Sequence, residues 1–236
     1  MENKNGQGIF YGVIGVATLV VAIIGATFAY FSATIDPATN AINATTAAGA
    51  SIALTVSEVQ PSDTATVKGM VPLDITATSP KTSQFASAVS NNTTGTDGIC
   101  TDANGNTVCH IYKIVIQNSG DAAVLVSGNA TIASATSNKT LDHASWGILG
   151  GNGLTDTDFS NATVPATIYS IGGTGSGTGV VAPTGTLLAA SGGTKTYYML
   201  VWVEEIDDTQ PEDADARILG TVTFTTPDGT GVTAKF

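Results

Sequence analysis

The sequence predicts an all-β body behind a single N-terminal apolar helix, and three observations predict it. Ile9 to Phe31 runs about 23 residues without a charged side chain, long enough as a helix to cross the ~30 Å core of a bilayer. The rest of the chain is rich in Thr, Ser, Ala and Gly and falls into short alternating stretches bounded by turn residues, as strands do. Two cysteines flank an Asn-Gly pair, the strongest two-residue hairpin signal. A leading apolar segment with nothing comparable after it sends the remainder across a membrane.

The leader permits three outcomes. Residues 1–29 read as a signal peptide, with small residues Thr27 and Ala29 around Phe28 and cleavage between Ala29 and Tyr30. They also read as a retained membrane-spanning anchor, because the apolar run exceeds the usual ~7–15 residues of a signal peptide. In a third reading Gly8 is the cleavage point of a type IV-like pilin, and the helix from Ile9 onward packs in a filament core. The membrane is thus a partner of the leader at least during export.

Composition narrows the function classes. The formal net charge is −11, with eight Lys plus Arg against nineteen Asp plus Glu. That leaves no basic footprint for nucleic acid, and an acidic, hydroxyl-rich surface suits an extracellular or cell-surface location. Two closely spaced cysteines in an exported chain read as a disulfide.

Residues 30–49 are small, polar and weakly patterned, with Pro37 opposing regular pairing. They read as a flexible segment, or as a strand that orders on joining a sheet edge. Residues 50–236 form the sandwich. Ile52, Leu54 and Val56 alternate with Ser51, Ala53 and Thr55, a half-buried strand, and an apolar run follows around Met70 to Ile75. Ser79 to Gly98 has no period and reads as an exposed loop.

Counting outward from Asn104-Gly105 sets Thr101 opposite Val108 and Cys100 opposite Cys109. In that register the cysteines form a non-hydrogen-bonded pair with Cα atoms ~4.5 Å apart, inside the ~4.4–6.8 Å that a disulfide needs. The next strand, from His110 to Gln117, sets Ile111, Lys113 and Val115 against Tyr112, Ile114 and Ile116. Asn118 to Asp121 turns the chain and Ala122 to Ile132 returns it. Between Ala133 and Gly193 the pattern is faint; Trp146, Ile148, Leu149, Phe159, Ile168 and Tyr169 offer core, and the Gly172–Gly179 tract reads as a flexible loop.

Lys195 to Glu204 is the best strand in the chain. Tyr197, Met199, Val201 and Val203 share one face and Tyr198, Leu200 and Trp202 the other, so a central strand covered on both sides is expected. Ile218 to Thr225 alternates, with Ile218, Val222 and Phe224 inward and Thr221, Thr223 and Thr225 outward. These elements together point to a sandwich of immunoglobulin-like or jelly-roll type. Between the last two strands, the acidic loop offers Glu204, Glu205, Asp207, Asp208 and Asp213 as hard oxygen ligands; calcium is the one cofactor such a loop would suit, and a solvated loop is the plainer reading.

Catalytic constellations are missing from the sequence. It has neither HExxH nor GxSxG, and its two histidines, His110 and His143, read as surface or packing residues. The expectation is a protein that is not an enzyme.

Three patches resemble the TasA/camelysin family of bacterial biofilm-fibre proteins: Gly25-Ala-Thr-Phe-Ala-Tyr-Phe-Ser32, the cysteine hairpin entering an aromatic-Ile strand and an Asn-Ser-Gly turn, and the C-terminal run from the Tyr-Tyr strand through Trp202-Val-Glu-Glu205 to Gly220-Thr-Val-Thr-Phe224. The resemblance implies cleavage after Ala29, a structural role, and self-association into extracellular fibres by donated N-terminal strands. A membrane-anchored adhesion or binding module and a type IV-like pilin subunit are the alternatives.

Overall fold

In the computed structural model the described residues are 42–43, 51–60, 70–75, 84–90, 99–102, 106–134, 141–172, 176–206 and 218–236, all within one compact unit, Ala38–Phe236. Among the described residues there are ten strands, β1 (Ile42–Asn43), β2 (Ile52–Gln60), β3 (Cys109–Asn118), β4 (Val124–Ser134), β5 (Ala144–Ile148), β6 (Tyr169–Ser170), β7 (Ser176–Leu188), β8 (Gly193–Val203), β9 (Ile218–Thr225) and β10 (Gly231–Lys235). They build a six-stranded sheet in the order β1-β2-β3-β8-β5-β6 and a four-stranded sheet in the order β10-β9-β4-β7, with antiparallel pairing throughout. The all-β expectation holds, in a sandwich-like arrangement.

Alternation decides which side chains meet between the sheets. Ile52, Leu54 and Val56 of β2, with Ile114 and Ile116 of β3 and Met199 and Val201 of β8, face Val126, Ala130 and Ile132 of β4 and Val222 and Phe224 of β9, all of them buried. β8 lies between β3 and β5, and its other side chains, Tyr198, Leu200 and Trp202, enter a second apolar cluster on the outer face of the same sheet. The two-sided strand read from the sequence is therefore the central one.

That second cluster is roofed by the chain's own loops. Leu73 and Ile75 cover it from an extended segment whose Val71 and Leu73 amides donate to Thr107 and Val203 carbonyls at 2.8 Å each. Phe85, Ala88 and Val89 also cover it. They belong to a helical turn, Ala86–Ser90 and the two residues before it, in the stretch expected to be an exposed loop. The spacing of 85, 88 and 89 is that of one helical face, and the polar residues around it masked the signal.

One further expectation is corrected. The second half of the glycine tract belongs to β7, with Gly177 and Gly179 buried and Thr178 and Val180 exposed. A Cβ on Gly179 would lie 2.4 Å from the Tyr169 ring and one on Gly177 would lie 2.5 Å from the Ser170 carbonyl oxygen, so close approach of β6 requires glycine there. The chain turns after Asn118 and returns as β4, as expected; because β2 and β8 take both edges of β3, that returning strand crosses to lie in the other sheet.

Asn118 makes that crossing possible. Fully buried, its Oδ1 accepts from the Ser51 amide (3.2 Å) and the Gly120 amide (3.0 Å), and its Nδ2 donates to the Ala122 (2.8 Å) and Ala189 (3.1 Å) carbonyls. One side chain thereby satisfies backbone groups of three loops at one end of the sandwich.

Candidate functional site

The residues singled out by the sequence fall in separate places. Cys100 and Cys109 form a disulfide with Cα atoms 4.8 Å apart, and both are fully buried in the roofed cluster. The register around them differs from expectation. Thr101 bridges to Thr107 rather than Val108, and the Asp102 amide donates to the Asn106 carbonyl at 2.9 Å. The Asp102 carboxylate causes this, accepting from the Asn106 amide (2.7 Å) and from Asn106 Nδ2 (2.9 Å), which closes a wider loop than a two-residue turn. Cys100, at φ 65°, still accepts from the Val108 amide at 2.8 Å while its own amide donates to the Ala88 carbonyl at 2.9 Å, so the staple also fixes the helical turn.

Next to this cluster sits a polar group that sequence reading missed. Lys113 of β3 and Tyr198 of β8 are directly paired, and both reach Asp156 in the loop after β5: Lys113 Nζ donates to Oδ2 and the Tyr198 hydroxyl to Oδ1, each at 2.8 Å. The signal available was Lys113 interrupting an otherwise apolar strand. Burial pushes the Asp156 carboxyl up, but the Lys113 and Tyr198 hydrogen bonds and the Lys113 charge outweigh it and hold it below its ordinary value. Burial, with the Asp156 hydrogen bond and charge, raises Tyr198. The ring of Phe159 meets Tyr198 edge-on at 5.1 Å, so the group pins the loop onto the sheet.

The sign of the pH effect follows. A carboxyl lowered in the folded state stabilises the fold above its unfolded value, about pH 4, and that contribution disappears as pH falls through the lowered value. Wild-type melting temperature is therefore expected to fall more steeply than that of Asp156→Asn as pH drops below about 4. Parallel curves from thermal unfolding would remove Asp156 from the acid response.

His110 Nδ1 lies 2.5 Å from Glu58 Oε1 at the rim of the inter-sheet core, and the Glu204 amide donates to the His143 carbonyl at 2.8 Å. Burial, and then the Glu58 charge, raise the Tyr112 hydroxyl beside them. Of the acidic loop, Glu204 is half-buried and Glu205 exposed; Asp207, Asp208 and Asp213 lie outside the described residues, as do Gly8, Ala29, Tyr30 and the whole leader. Among the described residues no three His, Cys, Asp or Glu side chains gather as metal ligands.

The feature best placed for recognition is a sheet edge. β2 is paired along its length with β3, from Ile52 opposite Asn118 to Gln60 opposite Ile111. On its other side β1 meets only two positions, Ile42 opposite Leu54 and Asn43 opposite Ala53. Among the described residues no strand pairs with that side of Thr55 to Gln60, and a sheet edge is the kind of place that an extended segment can join.

No protein-family model matches the sequence, and no curated protein matches it.

Proposed function

We propose that the protein is an exported structural protein, a subunit of an extracellular fibre or of a cell-surface or biofilm matrix, that assembles by self-association. The observation that carries the reading is the β2 edge, on which, among the described residues, a two-residue piece of the 30–49 segment pairs with Ala53 and Leu54 alone. An extended segment of a neighbouring copy would continue that pairing by main-chain hydrogen bonds, its side chains alternating between core and solvent. The apolar leader, the two-core sandwich closed by a disulfide, and the resemblance to the TasA/camelysin family support the same reading.

Two measurements on the native protein test it. Electron microscopy of concentrated protein is expected to show filaments, and mass spectrometry of the intact chain to show a start at Tyr30. Protein that remains monomeric at high concentration would overturn the proposal. A start at Met1 would favour the anchored adhesion module, and one at Ile9 the pilin-like subunit.

A further inference from the structure

The two sheets differ in what covers their outer faces. The six-stranded sheet carries its own roof, the cluster around Trp202 and Phe159. The four-stranded sheet shows none among the described residues, and four of the six large apolar side chains that stand exposed lie on it: Leu125, Val180, Leu187 and Leu219. Leu125 and Leu187 are directly opposite one another on β4 and β7.

Charge is distributed just as unevenly. In a chain of net charge −11, strands β4, β7, β9 and β10 contain no Asp or Glu and a single cation, Lys235. The outward hydroxyls largely satisfy one another across strands: Thr131 with Thr178 (2.8 Å), Thr223 with Thr233 (3.0 Å) and Ser127 with Thr225 (3.0 Å). Paired in this way, they lose less on leaving water than free hydroxyls would.

We propose that this face is a second self-association surface, on which two copies of the chain pack sheet against sheet. The inference deepens the fibre reading by adding a side-by-side contact to the end-to-end one at β2. A second copy is the occupant that the charge pattern selects. Two polyanions repel everywhere except where carboxylates are missing, and interface centres are depleted in charge. Size sets the strength. Four strands at ~4.8 Å by eight residues at ~3.4 Å give about 500 Å² a side, below the ~800 Å² of a stable pair. Single subunits therefore pair weakly, and subunits already aligned in a filament pair strongly, because many contacts act together.

The test uses the full chain with a carboxylate placed on the face, as Leu187→Glu and separately as Thr223→Glu; both positions point outward, and unchanged thermal unfolding confirms the fold. Wild-type filaments are expected to lie in laterally paired bundles that tighten with added salt, and both variants to give single filaments. In sedimentation of unassembled protein, the variants' pairing constant is expected to weaken at least tenfold. Variants that bundle like wild type, or wild-type filaments that stay single, would overturn the inference and leave the fibre reading standing. Wild type that makes no filaments defeats the fibre reading instead, and the sedimentation comparison still decides this face.

Discussion

Replacing Trp202 with alanine is expected to lower the unfolding free energy by about 3–5 kcal/mol, the usual cost of deleting a large buried ring. Trp202 is fully buried on the roofed side of β8, opposite Cys109 on β3 and Ser145 on β5. Its loss opens a cavity under the helical turn and the disulfide at once. A phenylalanine there is expected to cost far less, because among the described residues none accepts a hydrogen bond from the buried Trp202 Nε1. Removing that N–H relieves a desolvated donor. Trp146 is the control: its Nε1 donates to the Gly177 carbonyl at 3.3 Å, so Trp146→Phe loses a hydrogen bond as well as volume. Denaturant unfolding of the three variants checks the order. A cost below about 1 kcal/mol for Trp202→Ala would mean that the roofed cluster unfolds separately from the core between the sheets.

The second large effect concerns the disulfide. A separation of nine residues closes a short loop, for which chain entropy alone gives about 2.7 kcal/mol. For a body of this size that corresponds to a melting temperature lower by about 5–10 °C. Thermal unfolding with and without reductant, and of the Cys100→Ala/Cys109→Ala double variant, is expected to show that drop in both cases. The roof should loosen first, since Cys100 holds the helical turn through the Ala88 carbonyl. An unchanged melting temperature in the double variant would show the staple to be energetically idle.

Much of the fold was legible because periodicity reports burial directly. The strand around Met199 to Trp202 has apolar residues on both faces, which only a doubly covered central strand tolerates. The Thr-alternating strand from Ile218 to Thr225 names its solvent side outright. What the sequence hid was decided by partners far along the chain. Gly177 and Gly179 look flexible in isolation, yet the Tyr169 ring and the Trp146 indole make them a strand. Asn104-Gly105 argues for a two-residue turn, and the Asp102 carboxylate shifts the pairing by one position. Phe85, Ala88 and Val89 carry a helical spacing too brief to stand out until the roof they join is seen. For the candidate site, the sequence suggested an ordering N-terminal segment, but the edge that receives it becomes visible only once β2 is paired on its other side.

The four-way hold on Asn118 bears on how the molecule ages. An asparagine followed by a small residue degrades when its carboxamide swings round and is attacked by the next backbone nitrogen, closing a succinimide. Held by Ser51, Gly120, Ala122 and Ala189, the Asn118 carboxamide has no room to make that swing. Conversion to aspartate would also set a negative charge against two carbonyl oxygens. The junction between the sheets is thereby shielded from slow chemical decay, and among the described residues an asparagine open to it is exposed Asn152, which precedes Gly153 at φ 73°.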